Sequence, residues 1–254
     1  MFRNAIVRTP GPNFADGLTT VDLGVPIFDK VLTQHARYCE ALRECGLAIT
    51  ALEADLHYSD STFVEDTAIV TGRGAILTRP GAESRAGETI AIRATLAQFF
   101  PQMFEIVAPG TLDGGDICEA ENHFFLGLSR RTNEEGCRQL AAYLQSLGYT
   151  SSIIDIRKMT SILHLKSGVS YIGDNTMLVI DELRALLPIY QRISVAPAEN
   201  YAANCVRVND RVFVASGYPH ITAELENHGF HPLVLDMSEF QKMDGGLSCL
   251  SLRF

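Results

Sequence analysis

Cys249, which follows a glycine pair in the stretch Asp244–Cys249, is the residue best suited to nucleophilic chemistry. A thiolate is the strongest nucleophile among side chains, and neighbouring glycines allow a substrate to approach closely. Because an isolated cysteine is more often a small buried hydrophobic residue, this catalytic interpretation depends on partners elsewhere in the chain. A buried role is what we expect for the other five cysteines, Cys39, Cys45, Cys118, Cys137 and Cys205.

His164, in the stretch Ile162–Lys166, is the histidine that could exchange protons with such a cysteine. Imidazole changes its charge near neutral pH, so one histidine can serve as general base and general acid. The other histidines lie on a helix face, beside a glycine turn or in polar connections, and are expected to be structural or exposed: His35, His57, His123, His220, His228 and His231.

Carboxylates cluster in two stretches, Asp55–Asp66 and Asp113–Asp116, the second around a glycine pair. Two carboxylates facing one site would bind a planar guanidinium through bidentate hydrogen bonds, and a third behind His164 would orient the imidazole. From spacing alone, a solvated acidic loop is the alternative. The sequence contains no EF-hand loop, no zinc-ligand spacing around His164 or Cys249, and no phosphate-binding loop. We therefore expect chemistry without a metal or cofactor.

Composition narrows the class of protein and its partners. The chain has 254 residues, 46% of them hydrophobic, as expected for a globular protein, and its net charge of -9 disfavours nucleic acid as a partner. The cysteines are too scattered for a disulfide scaffold, and we find no signal peptide and no apolar run long enough for a membrane span. These features favour a cytoplasmic protein, and the length allows one large domain or two small ones. Because no linker divides the chain, we expect a single domain, 1–254, with a small molecule as its partner and a homodimer as one option for its assembly.

One sequence pattern recurs at intervals of roughly 40 to 50 residues. In each copy a small or polar turn leads into a short apolar strand, and a second strand, usually a helix, and a third strand follow. The pattern therefore predicts repeated ββαβ units. The five junctions are Glu65–Val70, Gly115–Cys118, His164–Val169, Asn204–Val208 and Ser248–Leu252.

Three segments carry the periodicity of amphipathic helices, 30–45, 83–100 and 132–147. In the last, Thr132 and Glu135 have the spacing of a capping box, and Gly148 is the expected stop. Strands are expected at Phe2–Arg8 and Leu247–Phe254, and pairing between them would close the units into a ring.

If all five junctions lie at one rim of such a ring, residues far apart in sequence converge there: Asp66, Asp116, His164, Asn204 and Cys249. The alternative is that the repeat only builds a core.

Seven stretches in the same order along nearly the whole chain together resemble dimethylarginine dimethylaminohydrolases, members of the guanidine-modifying superfamily with a five-bladed α/β-propeller fold. They are Phe63–Asp66, Thr78–Arg85, Leu112–Asp116, Arg131–Asn133, Leu163–Lys166, Tyr201–Cys205 and Asp244–Cys249. The resemblance implies an α/β five-bladed propeller of ββαβ units, closed by the C-terminal strand.

The resemblance also implies a role for each matching residue. Cys249 matches the nucleophile, His164 the proton-transferring histidine and Asp113 the acid that orients it, where some relatives have glutamate. Asp60, Glu65 and Asp66 match carboxylates around the guanidinium and its tether. Arg85 and Arg131 match the pair that grips the substrate carboxylate, and the main chain near Leu18 and Met243 matches contacts to the α-amino group.

The activity implied is hydrolysis of Nω-methylated arginine to citrulline and an alkylamine through a covalent thiouronium on Cys249. An arginine deiminase or a citrulline hydrolase on the same scaffold is the alternative. The absence of room for a helical insertion in 254 residues favours the shorter family. Non-enzymatic ribosome-binding propellers are a further class, but they lack the cysteine, histidine and acid set.

Overall fold

The computed structural model describes residues 1–187 and 190–254; residues 188–189 of the expected domain lie outside the described part. In that part, fifteen strands form five sheets of three strands each. The strands are β1 (Asn4–Arg8), β2 (Ala48–Leu52), β3 (Ala68–Thr71), β4 (Gly74–Leu77), β5 (Met103–Glu105), β6 (Ile117–Ala120), β7 (His123–Leu128), β8 (Thr150–Asp155), β9 (Val169–Gly173), β10 (Thr176–Ile180), β11 (Gln191–Val195), β12 (Val206–Val208), β13 (Arg211–Ala215), β14 (Pro232–Leu235) and β15 (Leu252–Arg253).

All five sheets share one topology. The first two strands pair antiparallel and the third lies parallel to the second, as in β3-β4-β5, β6-β7-β8, β9-β10-β11 and β12-β13-β14. A parallel third strand requires a crossover connection, and a helix usually supplies it. The α-helices are α1 (Phe28–Glu44), α2 (Thr89–Leu96), α3 (Glu134–Ser146), α4 (Pro219–Asn227) and α5 (Ser238–Gln241). The fourth unit uses the 3-10 helix Asp181–Leu186 instead.

The ring closes through the C-terminal strand. β15 pairs antiparallel with β1, with Leu252 opposite Ile6, so the last strand of the chain is the first strand of the unit that continues through β1, α1 and β2. Both side chains are buried in one apolar cluster with Leu77 and Leu96 of the next unit. The predicted α/β propeller of ββαβ units, closed by its C-terminal strand, is confirmed.

A short 3-10 helix precedes the first strand of every unit, at the five predicted junctions. These turns are Val64–Thr67, Gly114–Asp116, Leu165–Ser167, Pro197–Ala203 and Ser248–Leu250. Because each turn occupies the same place in its unit, pseudosymmetry brings the turns together at one end of the ring. Contacts between neighbouring turns around that end show this arrangement.

The helix predicted over 132–147 exists, but its predicted cap was wrong. α3 begins after Asn133, whose side chain accepts a hydrogen bond from the Gly136 amide. Thr132 instead donates its hydroxyl proton to Asp116 at 2.7 Å, because that carboxylate is buried away from water and needs protein donors. The helix predicted over 83–100 is also shorter than expected, since α2 covers only Thr89–Leu96 and the 3-10 turn Glu83–Arg85 comes before it.

Within 1–187 and 190–254, no helix combines the length and the apolar character that a bilayer crossing requires.

Candidate active site

A small cavity of about 30 Å³ lies where the turns meet. Eight of the ten predicted site residues line it: Leu18, Asp60, Asp66, Arg85, Arg131, His164, Met243 and Cys249. The structure adds Phe63, Leu163, Asp244 and Gly245 to the lining. The two other predicted residues, Asp113 and Glu65, lie outside this lining for different reasons.

Asp113 lies behind His164. Its Oδ2 is 3.0 Å from His164 Nε2, and its other carboxylate oxygen accepts a hydrogen bond from the Gly81 amide at 2.8 Å. The side chain is fully buried, so both oxygens are held in place. This is the geometry expected of an acid that orients an imidazole.

Buried carboxylates determine the charge of His164. Burial lowers the pKa of the imidazole, but Asp66, Asp116 and the hydrogen bond to Asp113 outweigh it and raise the pKa to about 9. The ring is therefore protonated at neutral pH and can act first as a general acid.

Asp116 and Asn204, which were expected to converge with the reactive residues, lie one layer behind them. Asp116 accepts hydrogen bonds from the hydroxyls of Ser129 and Thr132 at 2.6 and 2.7 Å, and from the Leu165 amide at 3.0 Å. It is fully buried. Its oxygens are thus occupied by loops of two units, and it anchors these loops instead of facing the cavity.

Cys249 lies in the 3-10 turn before β15, and the Gly246 amide donates a hydrogen bond to its sulfur at 3.4 Å. Burial, with the carboxylates of Glu65 and Asp66, raises the pKa of the thiol to about 12. In the free protein the sulfur therefore carries its proton.

Asp66 and Arg85 form a buried ion pair beside the sulfur. Arg85 Nη1 donates to Asp66 Oδ2 at 2.6 Å, and Asp66 Oδ1 accepts from the Gly115 amide at 2.8 Å. Burial raises the pKa of Asp66, but Arg85 and His164 outweigh it and lower the pKa to about 2. A buried carboxylate that stays charged can bind a planar cation.

Glu88 also supports the site, although its role was not predicted from the sequence. Its carboxylate accepts from Arg85 Nε and Nη2, at 3.0 and 2.8 Å, and is nearly fully buried. The spacing of Arg85 and Glu88, three residues apart, was the available signal.

The remaining predicted residues also line the cavity. The Leu18 amide donates to Asp60 Oδ1 at 3.0 Å, and burial raises the pKa of that carboxyl. Arg131 lines the cavity, and its guanidinium forms no hydrogen bond with the residues that the structure describes. Met243 is buried in the apolar cluster below.

The loop that carries Leu18 is tied down at two further points. Thr20 donates both its amide and hydroxyl protons to Asp244 Oδ2, at 2.5 and 2.9 Å. The Thr19 hydroxyl donates to the Lys242 carbonyl at 3.0 Å. Asp244, which sequence analysis did not name as a site residue, thus holds this loop over the cavity.

The Glu65 side chain points away from this cavity, contrary to the expected contact with a guanidinium. Its oxygens accept from Lys166 Nζ at 2.6 Å and from the Ser248 hydroxyl at 2.7 Å, and Arg253 lies 3.7 Å away. All four residues line a separate cavity of about 370 Å³. The physical reason is charge: two cations on that side stabilise the buried carboxylate there.

Oxygens of Asp66 and Asp113 and a ring nitrogen of His164 lie within 4.8 Å of one another, the closeness that a metal ion would need. In this structure Asp113 binds the imidazole and Asp66 binds Arg85. The arrangement thus fits a hydrogen-bonded acid and histidine, and the expectation of no metal remains a prediction.

Comparison with known proteins places this geometry in a family. The arginine deiminase family model matches residues 57–197. The N(G),N(G)-dimethylarginine dimethylaminohydrolase of Pseudomonas aeruginosa is 44% identical over all of both chains. The protein of the same name from Streptomyces coelicolor is 33% identical over 99% of this chain and 96% of its own.

Solved structures agree. The Pseudomonas aeruginosa enzyme, as a cysteine-to-serine variant in complex with citrulline, superposes over all of both chains with a TM-score of 0.97 and 43% identity. The N-terminal domain of the arginine dihydrolase ArgZ has a TM-score of 0.88 at 17% identity, which shows a shared fold alone. Because of the full-length identity to two named relatives, this chain belongs to the dimethylarginine dimethylaminohydrolase family.

Proposed function

We propose that this hydrolase cleaves Nω-methylated arginine, as asymmetric dimethylarginine or monomethylarginine, to citrulline and an alkylamine. The observation that carries the proposal is that one cavity contains a cysteine, a charged imidazole, a buried carboxylate and two arginines. The names of its full-length relatives support this substrate, and so does citrulline bound to the Pseudomonas aeruginosa variant.

The charges of the cavity complement those of the substrate. The guanidinium would lie against Asp66, and the α-carboxylate against Arg131 and Arg85. Because the substrate carries both charges, it can supply a new partner to each member of the Asp66–Arg85 ion pair. Asp60 and main-chain groups near Leu18 and Met243 would receive the tether and the α-amino group.

The substrate cation would also activate the nucleophile. With a pKa of about 12, the Cys249 thiol is protonated in the free enzyme. A guanidinium beside it stabilises the thiolate, so the thiol releases its proton to solvent as the substrate binds. The thiolate adds to the guanidinium carbon. His164 gives its proton to the departing dimethylamine as the C–N bond breaks, which leaves a thiouronium on sulfur.

Hydrolysis of the thiouronium completes the cycle. His164, now neutral, takes a proton from water as the oxygen attacks the same carbon. The C–S bond then breaks with the electron pair going to sulfur, and the proton left on the attacking oxygen passes to that thiolate. This gives citrulline and returns Cys249 to the thiol of the free enzyme. Asp113 would keep the imidazole oriented through both proton transfers, since it stays hydrogen-bonded to Nε2.

The decisive experiment supplies asymmetric dimethylarginine, monomethylarginine, arginine and citrulline separately and measures citrulline, ornithine and free amine. We expect citrulline and alkylamine from the methylated substrates, and loss of turnover of about a thousandfold or more in Cys249→Ser. Cys45→Ser, at a partly exposed cysteine that does not line the cavity, is the matched control and should remain active. Equal ammonia release from arginine would instead identify an arginine deiminase.

We also propose that the chain works as a single domain, 1–254, without a metal or cofactor. Steady turnover after exhaustive treatment with a chelator is the expected result. Loss of turnover that added zinc or magnesium restores would contradict it.

A further inference from the structure

The Asn204 side chain connects two turns that carry the reacting groups. Its Oδ1 accepts a hydrogen bond from the Ser248 amide at 3.0 Å. Its Nδ2 donates to the Lys166 carbonyl at 3.1 Å and to the Ser248 hydroxyl at 3.2 Å. Only 8% of Asn204 is exposed, so water does not compete freely for these bonds.

These partners are next to the reacting residues in sequence. Ser248 precedes Cys249, and Lys166 follows His164 by two residues on the turn that begins there. The two turns belong to different units of the ring. Asn204 binds main-chain atoms of both, so one rigid amide group determines how far apart the two backbones lie.

Close packing makes this connection stiff. A Cβ atom on Gly246 would lie only 2.5 Å from Asn204 Cγ and Oδ1, so that loop rests directly against the amide. Gly246 in turn donates its amide proton to the Cys249 sulfur. Any side chain at 246 would therefore collide with Asn204. The Asn204 side-chain amide thus supports the loop that binds the Cys249 sulfur.

We propose that Asn204 is a positioning residue for this reaction: its amide sets the separation between the Cys249 sulfur and the His164 imidazole. The inference rests on the proposed function, because it concerns a reaction that needs both groups at one carbon. Asn204 touches neither the substrate nor the reacting atoms and acts through Ser248 and Lys166.

The second connection between the turns is less direct. Lys166 Nζ and the Ser248 hydroxyl both bind the Glu65 carboxylate, so this path runs through three side chains. Side-chain rotations can absorb a displacement along that path, whereas the amide of Asn204 joins main chain to main chain. A misplacement of about 1 Å at reacting groups can cost on the order of a hundredfold in rate.

The test compares two leaving groups in single-turnover experiments with Asn204→Ala. Dimethylamine must receive a proton as it leaves, whereas the methanethiolate of S-methyl-L-thiocitrulline can leave without one. If the variant displaces His164 relative to sulfur, we expect dimethylamine release to slow by about 10- to 100-fold and methanethiol release by less than about threefold. KM for dimethylarginine should stay nearly constant.

Asn200→Ala is the matched control. Asn200 lies four residues earlier, on the 3-10 helix that ends just before Asn204, and lines the same adjoining cleft. Its side chain forms no hydrogen bond with the described part of the chain. Its removal should leave both release rates unchanged. If Asn204→Ala does not fold, Asn204→Asp replaces it, since this variant keeps the acceptor for the Ser248 amide and loses the donor to the Lys166 carbonyl.

Two outcomes would overturn the inference: equal slowing of both leaving groups, which indicates a general structural defect, or unchanged release of dimethylamine. Failure of the proposed function would look different. In that case the unmodified enzyme itself would release no citrulline from dimethylarginine.

Discussion

Cys249 and His164 lie among buried carboxylates. Burial and these carboxylates together keep the thiol protonated, and the carboxylates outweigh burial in keeping the imidazole protonated in the free enzyme. The thiol, with a pKa of about 12, is neutral, and the imidazole, with a pKa of about 9, is charged. A thiolate paired with an imidazolium would instead need a lowered thiol pKa. In the free enzyme His164 is therefore already in its acid form, whereas Cys249 becomes a nucleophilic thiolate only when a cation binds beside it.

Asp113→Asn is expected to lower kcat by about a hundredfold or more, since the imidazole loses its orienting acid. It should also alter the pH profile. His164 must be protonated to release the amine, so activity falls as pH rises through its pKa of about 9. Removing one of the negative charges that raise this pKa moves the alkaline limb to lower pH.

The measurement is kcat and kcat/KM against pH, with Asp155→Asn at an exposed position as the control. If the alkaline limb of Asp113→Asn stayed at the same pH as that of the unmodified enzyme, His164 would not be the group whose titration limits activity there.

Glu65→Gln separates a substrate contact from an effect on the nucleophile. Because the side chain points away from the cavity, we expect KM for dimethylarginine to change by less than about threefold. Removing a negative charge behind the thiol should lower the pKa of Cys249 and speed its alkylation by iodoacetamide at neutral pH.

Asp66→Asn, at the carboxylate that does line the cavity, is the comparison and should raise KM by about tenfold or more. A similar rise of KM in Glu65→Gln would show that Glu65 contacts the substrate directly, as the sequence predicted.

At the scale of elements, one junction between a turn and a strand is used five times, and the copies carry four residue types: aspartate twice, histidine, asparagine and cysteine. Asp66, His164 and Cys249 occupy three of these junctions. The start of α3 also supports the site. Thr132, the residue before the helix cap, donates its hydroxyl hydrogen bond to Asp116 and none to the helix. Capping and site support are thus divided between neighbouring residues.

Asn133→Ala should destabilise the protein by about 1 to 2 kcal/mol, since Asn133 caps α3 and also accepts from the Thr111 amide. Urea denaturation followed by circular dichroism measures the change. Glu134→Ala, at an exposed first-turn position, is the control and should have a smaller effect. If Asn133→Ala were as stable as the unmodified protein, Asn133 would not be the cap of α3, and Thr132 would be the remaining candidate.

At the scale of the whole molecule, ring closure and catalysis share one segment. β15 completes the sheet of β1, and Cys249 lies three residues before the buried Leu252. A substitution that weakens the packing of β15 should therefore displace Cys249, whereas an equally destabilising substitution in another unit should not.

Leu252→Ala tests this coupling against Leu144→Ala, a fully buried leucine of α3. Each deletion should cost about 2 to 5 kcal/mol of unfolding free energy. Under conditions where both variants are folded, only Leu252→Ala should lower kcat, because its cavity loosens β15, the strand that directly follows the turn with Cys249. Equal kcat values would show that closure and catalysis are independent.

By itself, the sequence determined the repeated unit, its closure and the reactive residue types, since these follow from local periodicity and from motifs such as Asp244–Cys249. The helix over 132–147 was also predictable from local sequence, except for the residue that caps it.

Only the tertiary structure decided which neighbouring side chain faces which cavity. Glu65 and Asp66 are adjacent and equally charged, but Lys166, 101 residues away, draws the first carboxylate to one side, and Arg85 holds the second on the other. The same applies to Asn204, whose bonds reach two other units. Such choices depend on charges and hydrogen-bond partners that the chain brings together only when the ring is closed.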